Sequence, residues 1–407
     1  MRLNSLHCKF TVNWSLVDQQ KQEKENVVME MTQIAEIVNE TTAQITGTEM
    51  LSDIDLNKIV DAGAEVLETD KRDHYVQSLI DRIGKVVFVN RPYTGSTPSV
   101  MMDSWAYGAI LEKIQYEGIP EAEDNDSWEL EDGKSYDPNI FYKPTVSSKF
   151  FSERRTFDIP MSFAQRQVKS AFTSAGQVQA LFSMIETAIS NGMTVKMDSL
   201  VQATINNFIA TTYGDGTGGP RLVKLLTEYA AFTGQEAPDA DNALATPEFI
   251  RFMSFAMQRR ATQMEKFGVV FNQGGKYRHT PKDRLHFILH SDVAAAADAY
   301  LQSDTYHNEF VKLPNAEKVA FWQGSGTGFD FEDTSSIIVT PRGANSDVEI
   351  NNIVGVMFDR EALGVSNLDR RVTSNWNPKA EFTNNWYKFD AGYFNDFNEN
   401  GIVFVLE

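Results

Sequence analysis

At 407 residues and 45.8 kDa the chain exceeds the size at which one core usually stops growing, so two or more lobes are expected. A composition of 42% hydrophobic, 11% aromatic and 23% charged residues excludes a wholly disordered or fibrous chain, and a formal net charge of −19 argues against a surface given over to nucleic acid. The single cysteine, Cys8, excludes an intrachain disulfide and any thiolate metal cluster, which leaves packing to organise the fold.

No apolar run approaches the roughly 18 residues of a membrane span, and the start MRLNSLHCKFTVNW lacks the apolar core of a signal peptide. The expectation is a soluble chain made in the cytoplasm. Residues 1–52 read as a tail or arm, polar and patternless until Met29 and helical in TQIAEIV. Residues 1–28 are either a disordered tail or not part of the native product, since Lys24–Glu25 can be encoded by a ribosome-binding sequence upstream of Met29. From residue 53, DIDLNKIVDAGAEVLE carries Leu56, Ile59, Val60 and Leu67 on one helical stripe, weakened by Gly63, and DHYVQSLIDRIG continues helical. KVVFVNRPY reads as a strand.

Residues 106–163 look like a long two-armed β segment, interrupted by EAEDNDSWELEDG with seven acidic side chains and no basic one. The following residues carry Lys134, Lys143, Lys149, Arg154 and Arg155 against Asp137 and Glu153, so the two arms have opposite sign. In FDIPMSF the residues Phe157, Ile159, Met161 and Phe163 alternate with Asp158, Pro160 and Ser162, giving one apolar face. Pro160 cannot donate to a ladder, which places this arm at a sheet edge or bulge.

Val178, Leu181, Phe182, Ile185, Ala188 and Ile189 keep a helical period that resumes at Met197, Leu200, Val201, Ile205 and Phe208. With Ser174 as N-cap, an unbroken helix over 174–212 is roughly 58 Å long; the alternative is a break at Asn191–Gly192. YGDGTGGPRLVKLL lacks the preceding strand and the Gly-Lys-Ser/Thr of a phosphate loop and reads as a connector. Thr246-Pro247-Glu248 opens a helix reaching about Phe267, RLHFILH is a strand, and Ser291 caps an alanine-rich helix. His286 and His290 share a strand face but have no Asp or Cys at ligand spacing, so a core or solvent-facing pair is the expectation. GSGTG contains neither a nucleophile elbow nor a dinucleotide fingerprint, and no HExxH is present.

Residues 346–407 are β-rich and end in DFNENGIVFVLE, which matches the calcium-loop pattern with Asp396, Asn398, Asn400 and Glu407 as ligands. No exiting helix follows Glu407 and no partner hand exists, so the expectation is a tight turn feeding a β-branched strand, with no metal and no cofactor.

The order of long β arm, long helix, mixed domain and returning strands, with NNIVGVMFDREALGV, RRVTSNWNP and FNENGIVFVLE, resembles the major capsid proteins of tailed bacteriophages. The resemblance implies an α+β chain of the Hong Kong 97 type capsid fold. Residues 53–105 would form the N-terminal arm and first peripheral elements, 106–163 the extended loop, 164–212 the spine helix, 213–345 the axial domain and 346–407 returning peripheral strands. It further implies a structural, non-enzymatic protein of the virion that assembles through pentamers and hexamers around double-stranded DNA, with scaffolding and portal proteins as partners and no membrane. A β arm that cannot cover its own apolar face needs a neighbouring subunit, which makes Arg154, Arg155, Phe157, Ile159 and Met161 the assembly candidates. An encapsulin-like nanocompartment and a calcium-dependent or hydrolytic enzyme are the alternatives.

Overall fold

The computed structural model describes residues 31–47, 56–72, 74–79, 82, 98–102, 110–116, 131–133, 135, 139, 141, 143, 145–215, 219–302, 316–320, 322, 337–340 and 345–407. The polar segment 1–28, the strand expected over KVVFVNRPY, most of the acidic stretch and GSGTG lie outside them.

The helices are α1 (Met31–Thr46), α2 (Leu56–Leu67), α3 (Gln165–Ala171), α4 (Ala175–Gly214), α5 (Leu225–Thr233), α6 (Ala240–Ala243), α7 (Pro247–Met264) and α8 (Ser291–Gln302). The strands are β1 (Met101–Met102), β2 (Leu111–Tyr116), β3 (Val146–Phe151), β4 (Arg154–Ala164), β5 (Leu222–Lys224), β6 (Leu285–His290) and β7 (Glu317–Val319). They continue with β8 (Ile337–Val339), β9 (Val348–Ile350), β10 (Ile353–Asp359), β11 (Leu363–Asn377), β12 (Phe382–Asn395) and β13 (Gly401–Val405). One sheet has the order β1-β11-β12-β4 and a second the order β5-β13-β10-β6-β7, with β2–β3 and β8–β9 as separate hairpins.

The chain divides into two compact units. The first takes residues 1–91, 158–191 and 371–388. Its described core joins Ile34 and Val38 of α1, Ile59, Val60 and Leu67 of α2, and Tyr75, Val76 and Leu79. Gly63 does not weaken the α2 stripe as its lack of a side chain suggests. A Cβ there would stand 2.6 Å from both the Phe172 ring and the Tyr75 hydroxyl, so glycine lets two aromatics close on the helix. Burial pushes the Tyr75 phenol up to about 12. Val178, Phe182, Ile185 and Ile189 of α4 are also buried, whereas Ala188, expected on that stripe, is exposed.

Helix α4 runs unbroken through Asn191–Gly192. Its 40 residues span about 60 Å at 1.5 Å per residue, and a lone glycine costs only about 1 kcal/mol against such burial. Ser174 is its N-cap, the Gln177 amide reaching the Ser174 Oγ at 3.4 Å and the carbonyl at 3.1 Å.

The second unit takes residues 92–157, 192–370 and 389–407. Its sheet is built on β10 and β13, whose residues are all buried. Strands buried on both faces belong in the middle of a covered sheet, and β13 lies between β5, parallel, and β10, antiparallel. Strands from 346–407 pair directly with β5 and β6 from 213–345. Phe249, Met253 and Met257 of α7 pack with Phe287, Met357 and Phe404. Phe208 of α4 packs so close to Gly401 that a Cβ there would stand 2.2 Å from the ring.

Two helix starts differ from expectation. Thr246 occupies the N-cap of α7 with extended backbone, but its hydroxyl donates to the Asn242 carbonyl at 3.1 Å instead of capping. Ser291 is already inside α8, and the His290 Nδ1 accepts from the Asp292 amide at 3.3 Å, taking the capping role. Among the described residues, no helix is long and apolar enough to cross a membrane.

Candidate assembly site at the hairpin base

The hairpin β2–β3 pairs Leu111 with Phe151, Lys113 with Lys149 and Gln115 with Ser147. Period-two geometry puts Leu111, Lys113, Gln115, Ser147, Lys149 and Phe151 on one face, and Glu112, Ile114, Val146, Ser148 and Phe150 on the other. The face turned to the protein is the charged one. Lys113 is only 10% exposed, while Ile114 and Phe150 are 69% and 61% exposed.

The inward lysines converge on the turn between β12 and β13. Asp396 is fully buried, and its Oδ1 accepts from Lys149 Nζ at 2.8 Å and its Oδ2 from Lys113 Nζ at 3.2 Å. Lys113 also donates to the Glu361 carbonyl at 2.5 Å and sits 5.3 Å above the Phe394 ring. Beside it Glu399 accepts from Gln115 Nε2 at 2.7 Å and from Arg278 Nε at 3.1 Å.

Opposite charge balances differ at the two carboxylates. Burial alone would raise the Asp396 pKa, but the Lys149 hydrogen bond and the Lys113 charge outweigh it and hold the group below the usual carboxylate range. Burial raises the Glu399 pKa and outweighs the lowering by the Arg278 and Lys113 charges, with Asp396 and Asp359 adding to the rise. The turn is fixed further by Asn400, which accepts from Asn272 at 3.4 Å and donates to Thr280 at 3.2 Å.

The residues of the calcium pattern are engaged by protein groups. The Asp396 oxygens face two ammonium groups, the Asn400 amide is bonded to side chains, and the Asn398 amide closes a tight turn on Asp396 Oδ1 at 3.2 Å. Glu407 accepts from Lys224 at 2.6 Å and from Tyr213 at 2.7 Å, and these hydrogen bonds outweigh burial to hold its pKa low. His286 and His290 lie four residues apart on β6, about 13 Å along an extended strand, against the roughly 4 Å that ligands of one ion span. His286 stacks on Phe358, and burial lowers its pKa.

Of the assembly candidates, Arg154 and Arg155 are exposed at the start of β4. Phe157, Ile159 and Met161 are half-buried and alternate with exposed Asp158, Pro160 and Ser162, and Pro160 lies on the sheet-edge strand. Phe157 is turned to Phe389 with ring centroids 5.1 Å apart, so part of that face is covered by the chain itself. The more open apolar surface is Ile114, Val146 and Phe150, which the sequence reading passed over. The alternation in LEKIQY signals two faces but not which one turns inward.

The model of the Phi29-like phage major capsid protein family matches residues 34–405 of this chain. The chain belongs to that family. It is a structural protein of the virion, a phage major capsid protein of mixed helix and sheet, and neither the cargo compartment nor the enzyme finds support. No curated protein matches this capsid protein by sequence. Solved structures to which it is similar include the capsid of Staphylococcus phage Andhra, at 8% identity and a TM-score of 0.48, covering 78% of this chain and 86% of that one. Another is the capsid of Cyanophage P-SCSP1u, at 13% identity and a TM-score of 0.44, covering 75% and 86%.

Proposed function

We propose that copies of this capsid protein join through the outer face of the β2–β3 hairpin, building pentamers and hexamers of an icosahedral shell around double-stranded DNA. The observation that carries the reading is the inversion of the hairpin: its lysines are spent on Asp396 within the subunit, and Ile114, Val146 and Phe150 face outward. Burying such side chains contributes about 1.5 to 3 kcal/mol each, repeated at every interface of a closed shell. Arg154 and Arg155, exposed beside the hairpin, would meet the acidic stretch of residues 121–133 on a neighbour and set register. Ile159 and Met161 would be covered with them.

In this reading the chain has the Hong Kong 97 type fold, with 106–163 as extended loop, α4 as spine, and the β5-β13-β10-β6-β7 sheet with α5, α7 and α8 as the axial domain. The subunit would be made in the host cytoplasm and assemble with scaffolding and portal proteins. Its net charge of −19 suits a wall that must not hold packaged DNA. The test is Ile114→Ser with Phe150→Ser, and separately Arg154→Glu with Arg155→Glu. Both should give folded, soluble subunits that form no shells in sedimentation and electron microscopy. Normal shells from the hairpin variant would overturn the reading.

A further inference from the structure

A cavity of about 530 Å³ lies within the second unit, walled by α4, by β12 with the start of β4, and by β8. Proteins hold small organic molecules in cavities of this size. Its floor is one stripe of α4, with Leu200, Ala203 and Thr204 at positions i, i+3 and i+4. The Tyr393 amide donates to the Glu153 carbonyl at 3.2 Å, so β12 runs beside the residues that lead into β4. The two-residue period then brings Asn395 and Arg155 onto the same wall as Tyr393 and Glu153. Val339 of β8 and Thr340 after it close the third side.

The two threonine hydroxyls and the Asn395 amide spend their protons inside the protein. Thr204 Oγ1 donates to the Leu200 carbonyl at 2.8 Å, Thr340 Oγ1 donates to Asp347, and Asn395 Nδ2 donates to the Thr204 carbonyl at 3.2 Å. The last bond fixes which way the amide is turned, since only its nitrogen can donate to a carbonyl. Asn395 Oδ1 is thereby left as a buried acceptor with no partner among the described residues. An unpaired oxygen of this kind is costly, and a donor is what the site lacks. With the Glu153 carboxylate in the same lining, a donor that carries positive charge makes the stronger bond. Leu200, Ala203 and Val339 give such a donor an apolar wall, which suits a chain of methylenes. Arg155, the cation of the lining, is exposed, where water and salt screen it.

We propose that this cavity binds an alkylammonium group, the ammonium donating to Asn395 Oδ1 and the Glu153 carboxylate and the methylenes lying on Leu200, Ala203 and Val339. A free polyamine and the lysine side chain of a second protein share that chemistry. The inference goes beyond the shell reading and does not rest on it. The full-length subunit is titrated calorimetrically with diaminopentane, with lysine blocked at both backbone ends, and with pentanediol as the neutral match. Expected is saturable one-to-one binding of an amine and no heat from the diol. Binding of the diamine alone identifies a free polyamine, and binding of the blocked lysine identifies a protein side chain; either supports the site. Asn395→Leu and Glu153→Gln should each weaken binding about tenfold. Ala203→Leu fills the floor without removing a polar partner and should weaken it as much with an unchanged circular dichroism spectrum, which keeps the test valid if Asn395→Leu fails to fold. Binding that survives Ala203→Leu unchanged is amine gathered on an acidic surface and overturns the inference. Absence of saturable heat from both amines overturns it as well, and a diol that binds as tightly as the diamine overturns the demand for positive charge.

Discussion

Replacing Asp396 with alanine should test whether the hairpin is held by its buried lysines. Removing one partner of a buried ion pair costs about 3 to 5 kcal/mol, because the remaining charge loses its compensation. Here Lys113 keeps the Glu361 carbonyl at 2.5 Å and the Glu361 and Glu399 carboxylates at 3.8 and 4.0 Å, while Lys149, 40% exposed, can turn to water. The expected loss is therefore at the lower end, about 3 kcal/mol, read from urea melts near neutral pH. The Asp396 carboxyl is depressed in the folded protein, so its contribution is complete above the ordinary carboxylate value and is lost as pH falls through the folded value. The gap between parent and Asp396→Ala should thus be full at neutral pH and narrow below about pH 4. Equal denaturation midpoints near neutral pH, or a gap that does not change in acid, would refute the clamp.

Glu399→Gln should behave in the opposite sense. Its carboxyl is raised by burial above 4.5, so ionising it costs stability as pH rises past that value, and the variant should gain on the parent from acid to neutral pH in thermal melts. Phe182→Ala, at a fully buried position on α4, should cost about 3 to 5 kcal/mol; a denaturant midpoint equal to the parent's would mean that this face packs nothing. Gly63→Ala should destabilise by about 1 to 3 kcal/mol, since the added Cβ meets the buried Phe172 and Tyr75, and an unchanged melting temperature would show that the pair can move aside.

Local pattern alone carried several elements. The helical period over 178–208 is strong enough that Gly192 does not interrupt it, and the β-branched and aromatic run at 402–405 forms a strand as its residue types favour. The alternation in FDIPMSF places Phe157, Ile159, Met161 and Phe163 on the more buried face, with Pro160 on an edge strand where its missing amide is harmless. Each is a property of a few neighbouring residues, and burial acts on them in the same direction as propensity.

Tertiary structure decided which partners those elements meet. Gly63 reads as a gap in an apolar stripe until Phe172, more than a hundred residues on, is found filling it. DFNENGIVFVLE has the letters of a calcium loop, but Asp396 is neutralised by Lys113, 283 residues earlier in the chain. The hairpin depends on the same distant contact. Alternation in β2 separates Lys113 and Gln115 from Ile114, and ordinary hydrophobicity would turn Ile114 inward. The buried carboxylates of Asp396 and Glu399 turn the lysine face inward instead, because an unpaired charge in the interior costs more than an isoleucine in water. A two-residue period distinguishes the faces of a strand, and only the surface against which it packs chooses between them.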